Sequence, residues 1–406
     1  MSEQMLLEKE SAEVNAAEIT DVSSDTPAEK PAETVPAPKV QKNYGVELLR
    51  IASMLFIIVL HVINFGGISF YHSGIYFPIT AENIMHYKVA NGMLAFCYCA
   101  VNCYALISGY VSCKSKFKLS KMISLWLTVV AINAAMYGLA YAYNPEWVAP
   151  YSIRSIFTPL TSDQYWYFTA YMGLLVLMPA LNAAVNNIPK KHYGYMLAGM
   201  FLFFSVIPGL CGQDLFKEGA GYSLIWLVLL YLTGAYFKLH FKPEKWLWLV
   251  RTVSLAVYIL SALALAFGRF IREERLSASS DGYVLYANDY SYTSVYVVIC
   301  SIALFVLFIN INIKNKVVGR IIGFVSGTTF GIYLIHLNYI VMDKIITGRY
   351  VDEAMKSPLD MALGILLAAV IIFAICFVIE KVRQLLFKYL FIDKLISLAD
   401  KIHINK

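Results

Sequence analysis

From residue 46 onward the chain is a succession of apolar runs separated by short polar loops, and this decides the solvent in which it folds. About twenty consecutive apolar residues span a hydrocarbon core about 30 Å thick. With no water in that layer, every backbone N–H and C=O must be paired within the fold, which admits only helices or closed barrels. The runs are continuous rather than alternating, as barrel strands would be, so the expected fold class is all-α, a polytopic transmembrane helix bundle. Ten spans are expected, at approximately 46–65, 90–112, 119–143, 165–183, 194–210, 222–239, 246–268, 290–310, 321–343 and 359–380. Composition agrees: 59% of residues are hydrophobic and 15% charged, against about 45–50% and about 25% in soluble domains.

The loops carry their Lys and Arg unevenly. Lys114, Lys116, Lys118 and Lys121 follow the second span, Lys190 and Lys191 the fourth, Lys238, Lys242 and Lys245 the sixth, and Lys314, Lys316 and Arg320 the eighth. The positive-inside rule then places both termini in the cytoplasm. The other loops carry fewer, or mix them with acids, as in Arg269, Arg272, Glu273, Glu274 and Arg275. A net charge of +6 dispersed over short loops forms no basic stripe, so no nucleic-acid partner is expected. Residues 1–43, rich in Glu, Ala, Pro and Ser, read as a disordered acidic cytoplasmic tail and neither a signal nor a transit peptide. Residues 381–406 alternate apolar and basic positions and read as an amphipathic segment on the cytoplasmic leaflet, leaving 44–380 as the membrane domain. The seven cysteines lie mostly inside apolar runs without a CxxC pair, so neither a metal nor a bound cofactor is expected. Nothing in the sequence sets an oligomeric state.

Against this background the first span stands out. It places Glu47, Arg50, His61 and Asn64 where only apolar residues come free of cost, and ionisable groups in a span are functional suspects. At 100° per residue, the eleven steps from Arg50 to His61 close three turns with about 20° to spare, so both lie on one face about 16 Å apart along the axis. Two readings stand for Arg50: a side chain that snorkels or pairs with Glu47, or a ligand-binding group. His61 is either a histidine bonded quietly to a neighbouring helix or a catalytic base. The ninth span repeats the pattern, with Ser326, Thr329, Tyr333, His336 and Asp343 on one face, and His336 lies as deep in its span as His61 in its own. The two histidines are therefore expected to meet.

A neutral histidine takes the proton from a hydroxyl as it attacks a thioester, the usual route for moving an acyl group from CoA. An arginine nearer the cytosol offers a forked donor to the phosphates of CoA, which exists only on that side. Donor entry near Arg50 and transfer near His61 would carry the acyl group, not CoA, across the membrane. No HxxxxD motif follows either histidine, since Gly66 and Val341 stand at the fifth position, and neither a P-loop nor GxSxG occurs.

Arg50-x10-His61 resembles the signature of the membrane-bound acyltransferase family 3, bacterial multi-pass O-acyltransferases. ALISGYV at 105–111 resembles the family's second-span motif with Ser108 and Gly109, YWYFTAYMGLLVLMPALN at 165–182 its aromatic-opened fourth span, and FGIYLIH at 330–336 its late-span motif. The resemblance implies a multi-pass protein of a bacterial cell membrane with acetyl-CoA, or another acyl-CoA, as donor. It implies sugar hydroxyls of a surface polysaccharide or lipid-linked oligosaccharide as acceptors, with His61 catalytic and Arg50 its essential partner. Some members carry a hydrolase-like domain after the last span; this chain is expected to act without one. Where many members have arginines after the second-span motif, Lys114, Lys116, Lys118 and Lys121 stand here. Glu47, Asn64, Ser108, Trp166, Tyr333 and His336 complete the expected substrate site. Ser108 and Gly109 equally suit a close helix crossing, and Trp166 and Tyr167 suit an interface belt as well as sugar stacking. His72, His86, His192, His240 and His403 receive no role.

A transporter or flippase explains the same polar stripes, because they also line substrate paths. An enzyme that uses lipid-linked sugars without CoA usually needs a larger outer loop than the twenty or so residues the longest loop offers.

Overall fold

The computed structural model describes residues 42–401, apart from 69–70, 73–74, 77–81, 162, 244 and 280–289. The expected acidic tail therefore lies, but for its last two residues, outside the described residues, as do the final five residues with His403.

The fold is helical. Its elements are α1 (Tyr44–Phe65), α2 (Ile84–Cys97), α3 (Ala100–Ser112), α4 (Leu119–Tyr143), α5 (Trp166–Asn187), α6 (Lys190–Phe201), α7 (Ile207–Cys211), α8 (Leu224–His240), α9 (Leu247–Ser279), α10 (Val295–Ile309), α11 (Lys316–Ser326), α12 (Thr329–His336), α13 (Pro358–Tyr389) and α14 (Ile392–Leu398), with shorter turns between them. A two-residue β ladder pairs Tyr71–His72 with Ile75–Tyr76. Among the described residues eight helical stretches are long and apolar enough to cross a membrane, taking α2 with α3, α6 with α7 and α11 with α12 as single stretches. The shorter apolar helices α8 and α10 stand where the sixth and eighth segments were expected. The last of the long apolar helices, α13, runs on to Tyr389, past the expected end of its span at 380.

α1 sits inside the bundle, packed by α2, α3, α10, α11, α12 and α13. Its start is fixed by Asn43, whose Oδ1 accepts from the Gly45 and Val46 amides while its Nδ2 donates to the Ile309 carbonyl at the end of α10. An N-cap of this kind satisfies amides that have no partner within the helix. Here it also ties the register of α1 to α10, which sets the depth of every polar group along it.

α3 and α8 cross at two glycines. A Cβ on Gly109 would run into the Tyr231 backbone, and one on Gly234 into the Leu106 carbonyl. Close approach of backbones through small residues is how membrane helices pack without a hydrophobic driving force. Ser108 and Gly109 therefore divide the two readings of their motif, since Gly109 forms the crossing and Ser108 faces a cavity. Gly234→Ala should separate the helices and destabilise the protein by about 1–3 kcal/mol. A lowered unfolding midpoint in detergent, beside an unchanged one for Gly138→Ala, where a Cβ meets open space, checks this.

The ninth span is not one helix. It breaks at Gly327–Thr328 and again after His336, so Ser326 ends α11 and Asp343 lies beyond α12, whose one face carries Thr329, Tyr333 and His336. Asp343 is half-exposed and held by Lys344 and Tyr151. The first break leans on α13: Gln384 Nε2 donates to the Gly327 carbonyl (3.0 Å), and the Glu380 side chain fills the space a Cβ on Gly331 would need.

The loop before α8 carries Glu218, buried and without a hydrogen-bond partner on either carboxylate oxygen among the described residues. Burial, aided by the Asp214 charge, pushes its carboxyl up to about 7. The folded state then binds a proton that the unfolded chain has released by that pH, so stability falls as pH rises from about 4.5 toward 7. Glu218→Gln should flatten the fall, as read by unfolding midpoints at pH 5 and pH 8.

Candidate active site

Arg50 lies in the second turn of α1. Its Nη1 pairs with both oxygens of Glu47 (2.9 and 3.0 Å), and Ser326 Oγ donates to Glu47 Oε2 (2.5 Å). The Glu47 carboxylate is buried, which its pairing and hydrogen bonds permit. Tyr104 on α3 donates to the Arg50 carbonyl (2.7 Å). The guanidinium is thus held by Glu47 on its own helix, with Glu47 and the Arg50 backbone each fixed from a neighbouring helix, and the Arg50 side chain remains 27% exposed.

Eleven residues on, His61 meets His336. His61 Nδ1 lies 3.1 Å from His336 Nε2, and His336 Nδ1 lies 2.6 Å from the Ile332 carbonyl one turn back on α12. A carbonyl only accepts, so with both rings neutral His336 carries its proton on Nδ1 and presents Nε2 as an acceptor. His61 then donates from Nδ1, and the lone pair of its own Nε2 is left unspent. The hydrogen-bond network thus assigns the tautomer of His61 through a histidine 275 residues away. α12 is itself held against α4 and the start of α5, because the Tyr165 hydroxyl lies 3.0 Å from the Leu334 carbonyl and 2.9 Å from Asn133 Oδ1.

A cavity of about 270 Å³ joins the two polar groups. Arg50, Met54, Ile57, Leu60 and His61 form its α1 wall, with Arg50, Met54, Ile57 and His61 at steps of four, three and four on one helical face. Ser108, Trp166 and Tyr333 also line it. Trp166 packs against Tyr222 and Tyr292 with ring centroids 4.6 and 5.8 Å apart, so it belongs to an aromatic cluster and not to an exposed belt. Glu47 and His336 stand behind the wall, each bonded to a residue on it. Asn64, one turn beyond His61, is not among the lining residues. Lys121, one of the lysines after the second span, reaches the cavity beside Tyr171, its Nζ 3.3 Å from that hydroxyl.

The lining residues Tyr104, Tyr171 and Tyr292 carried no signal as site residues in the sequence, whereas Thr329 belonged to the polar face of the ninth span. Tyrosines are frequent here, 29 in the chain, and period alone does not separate a wall from a core. Among the described residues no group of three or more His, Cys, Asp or Glu is arranged to hold a metal.

No curated protein and no solved structure matches the chain. The acyltransferase domain described as Acyl_transf_3 matches residues 43–381, which hold nine of the ten apolar helical stretches, most of the tenth and the whole cavity. This chain belongs to acyltransferase family 3 and is a membrane-embedded acyltransferase.

Proposed function

We propose that the protein moves an acyl group, acetyl in the first instance, from cytosolic acyl-CoA to a sugar hydroxyl of a cell-surface polysaccharide or lipid-linked oligosaccharide. The observation that carries this reading is the hydrogen-bonded order His61–His336–Ile332 on a cavity that also holds Arg50. It leaves a basic nitrogen where a hydroxyl can reach it. Arg50 spends only Nη1 on Glu47 among the described residues, so other N–H donors serve the phosphates of the donor. Lys121 supplies a second cation near the same cavity.

The cavity is smaller than the about 300–1,000 Å³ of pockets that enclose a whole drug-sized ligand. It therefore takes the thioester end of the donor, and the nucleotide stays outside its mouth. Trp166 and Tyr292 offer flat apolar faces to a sugar ring, whose C–H groups stack on them. The acceptor hydroxyl gives its proton to His61 Nε2 as its oxygen attacks the thioester carbonyl, and the imidazolium then protonates the departing CoA thiolate.

The test uses the purified full chain in liposomes with radiolabelled acetyl-CoA and the envelope glycans of the cells that produce it. Alkali-labile label on the glycan is expected. Glycan movement with the thioester intact would mean a transporter or flippase and would remove this reading.

A further inference from the structure

We propose that the Tyr333 hydroxyl and the first turn of α5 form the oxyanion hole of this site. The inference rests on the acyl-transfer reading above and names what holds the charge that the reaction develops.

Tyr333 is 8% exposed and lines the cavity beside His61, yet its hydroxyl has no hydrogen-bond partner among the described residues. Other buried tyrosine hydroxyls around it are spent: Tyr104 on the Arg50 carbonyl, Tyr165 on Leu334 and Asn133, Tyr231 on Asn182. A folded chain rarely buries a polar group without a partner, and one that does so in a reaction cavity is waiting for a ligand atom.

Against this hydroxyl stands the start of α5. Trp166, Tyr167 and Phe168 line the same cavity, and the preceding Tyr165 supplies no side-chain cap. The Tyr167 and Phe168 backbone amides face the Tyr333 hydroxyl without closing a hydrogen bond on it. The positive end of a helix dipole and a phenolic donor therefore converge on one spot. Tyr165 pins that helix end to Leu334, the residue after Tyr333, so donor and helix end move as one unit. α12 then serves both halves of the chemistry, since His336 sets the tautomer of His61 and Tyr333, three residues earlier, lines the cavity and carries a buried donor.

In the step itself the acceptor oxygen forms a bond to the thioester carbon, its proton passes to His61 Nε2, and the carbonyl π pair moves onto oxygen. That oxyanion accepts from Tyr333 Oη–H and from the α5 amides. Its pair then re-forms the carbonyl, the C–S bond breaks, and the thiolate takes the proton from His61. Atoms and charge balance without another reactant.

Tyr333→Phe, assayed with radiolabelled acetyl-CoA and envelope glycans, should lower kcat about 10²–10³-fold, the loss typical of one oxyanion donor, with little change in KM for acetyl-CoA. The unfolding midpoint should hold or rise, because the hydroxyl removed has no partner in the resting fold. Installing 3-fluorotyrosine at position 333 keeps the ring and sharpens the donor, and should recover most of the kcat that Tyr333→Phe loses. Wild-type kcat in Tyr333→Phe would overturn the hole and leave the acyltransferase reading standing. So would a lowered midpoint in that variant together with inactivity of the fluorotyrosine protein, which would make the residue a matter of shape. Absence of thioester consumption by the wild-type chain would instead remove the underlying reading, and the hole with it.

Discussion

His61→Asn should leave the protein folded and abolish most transfer, with kcat down about 10²–10⁴-fold, the range a positioned general base contributes. The choice of Asn follows from geometry. Its amide nitrogen stands about where Nδ1 of the imidazole does, so it still donates to His336 Nε2, while nothing replaces the basic Nε2. His61→Ala removes both atoms and leaves His336 Nε2 without its donor, which adds a stability loss of about 1–3 kcal/mol if that nitrogen finds no water. Comparing the two variants for ester formed from labelled acetyl-CoA, and for unfolding midpoint, separates the missing base from damage to the fold. Equal kcat in wild type and His61→Asn would sink the assignment of the base.

Arg383→Ala is expected to give the largest loss of stability, although the residue is far along the sequence from every residue of the cavity's α1 wall. Arg383 grips Glu380 with two bonds of 2.7 Å, and Gln384 adds a third at 2.8 Å. Glu380 is 2% exposed and lies against Gly331 at the start of α12. Removing the guanidinium strands a buried carboxylate, for which the cost is about 3–5 kcal/mol. Glu380→Gln in the same chain removes the charge as well and should recover much of the loss. Detergent unfolding of the two variants and their combination measures this, and additive losses would show that the pair does not act as one. Because the pair supports the helix that carries Tyr333 and His336, Arg383→Ala should also reduce turnover in whatever fraction remains folded.

The legible part of the site is the part that one helix contains. α1 is a rigid rod with 3.6 residues per turn, so the spacing of Arg50, Met54, Ile57 and His61 already fixes them on one face before any neighbour is known. Tyr333 and His336 were legible in the same way, being one turn apart on α12. The apolar runs were legible because a hydrocarbon solvent sets their length, and each of the ten expected segments carries an apolar helix.

The same extrapolation failed where a helix stopped being one rod. Carried seven residues past His336, the period assigned Asp343 to the stripe, yet the helix ends first and Asp343 turns out toward Lys344 and Tyr151. Carried past His61, it assigned Asn64, which is not among the residues that line the cavity.

The amino-acid sequence by itself determined a membrane solvent, the apolar segments and the polar face of the first helix, because solvent thickness and helical pitch act on neighbours along the chain. Only the tertiary structure decided which nitrogen of His61 is basic, that the Tyr333 hydroxyl is buried without a hydrogen-bond partner among the described residues, that Glu380 supports α12, and that Trp166 belongs to a cavity wall. Each of these depends on atoms from separate helices, brought together by packing, and no periodicity within a single segment records which neighbour it will meet.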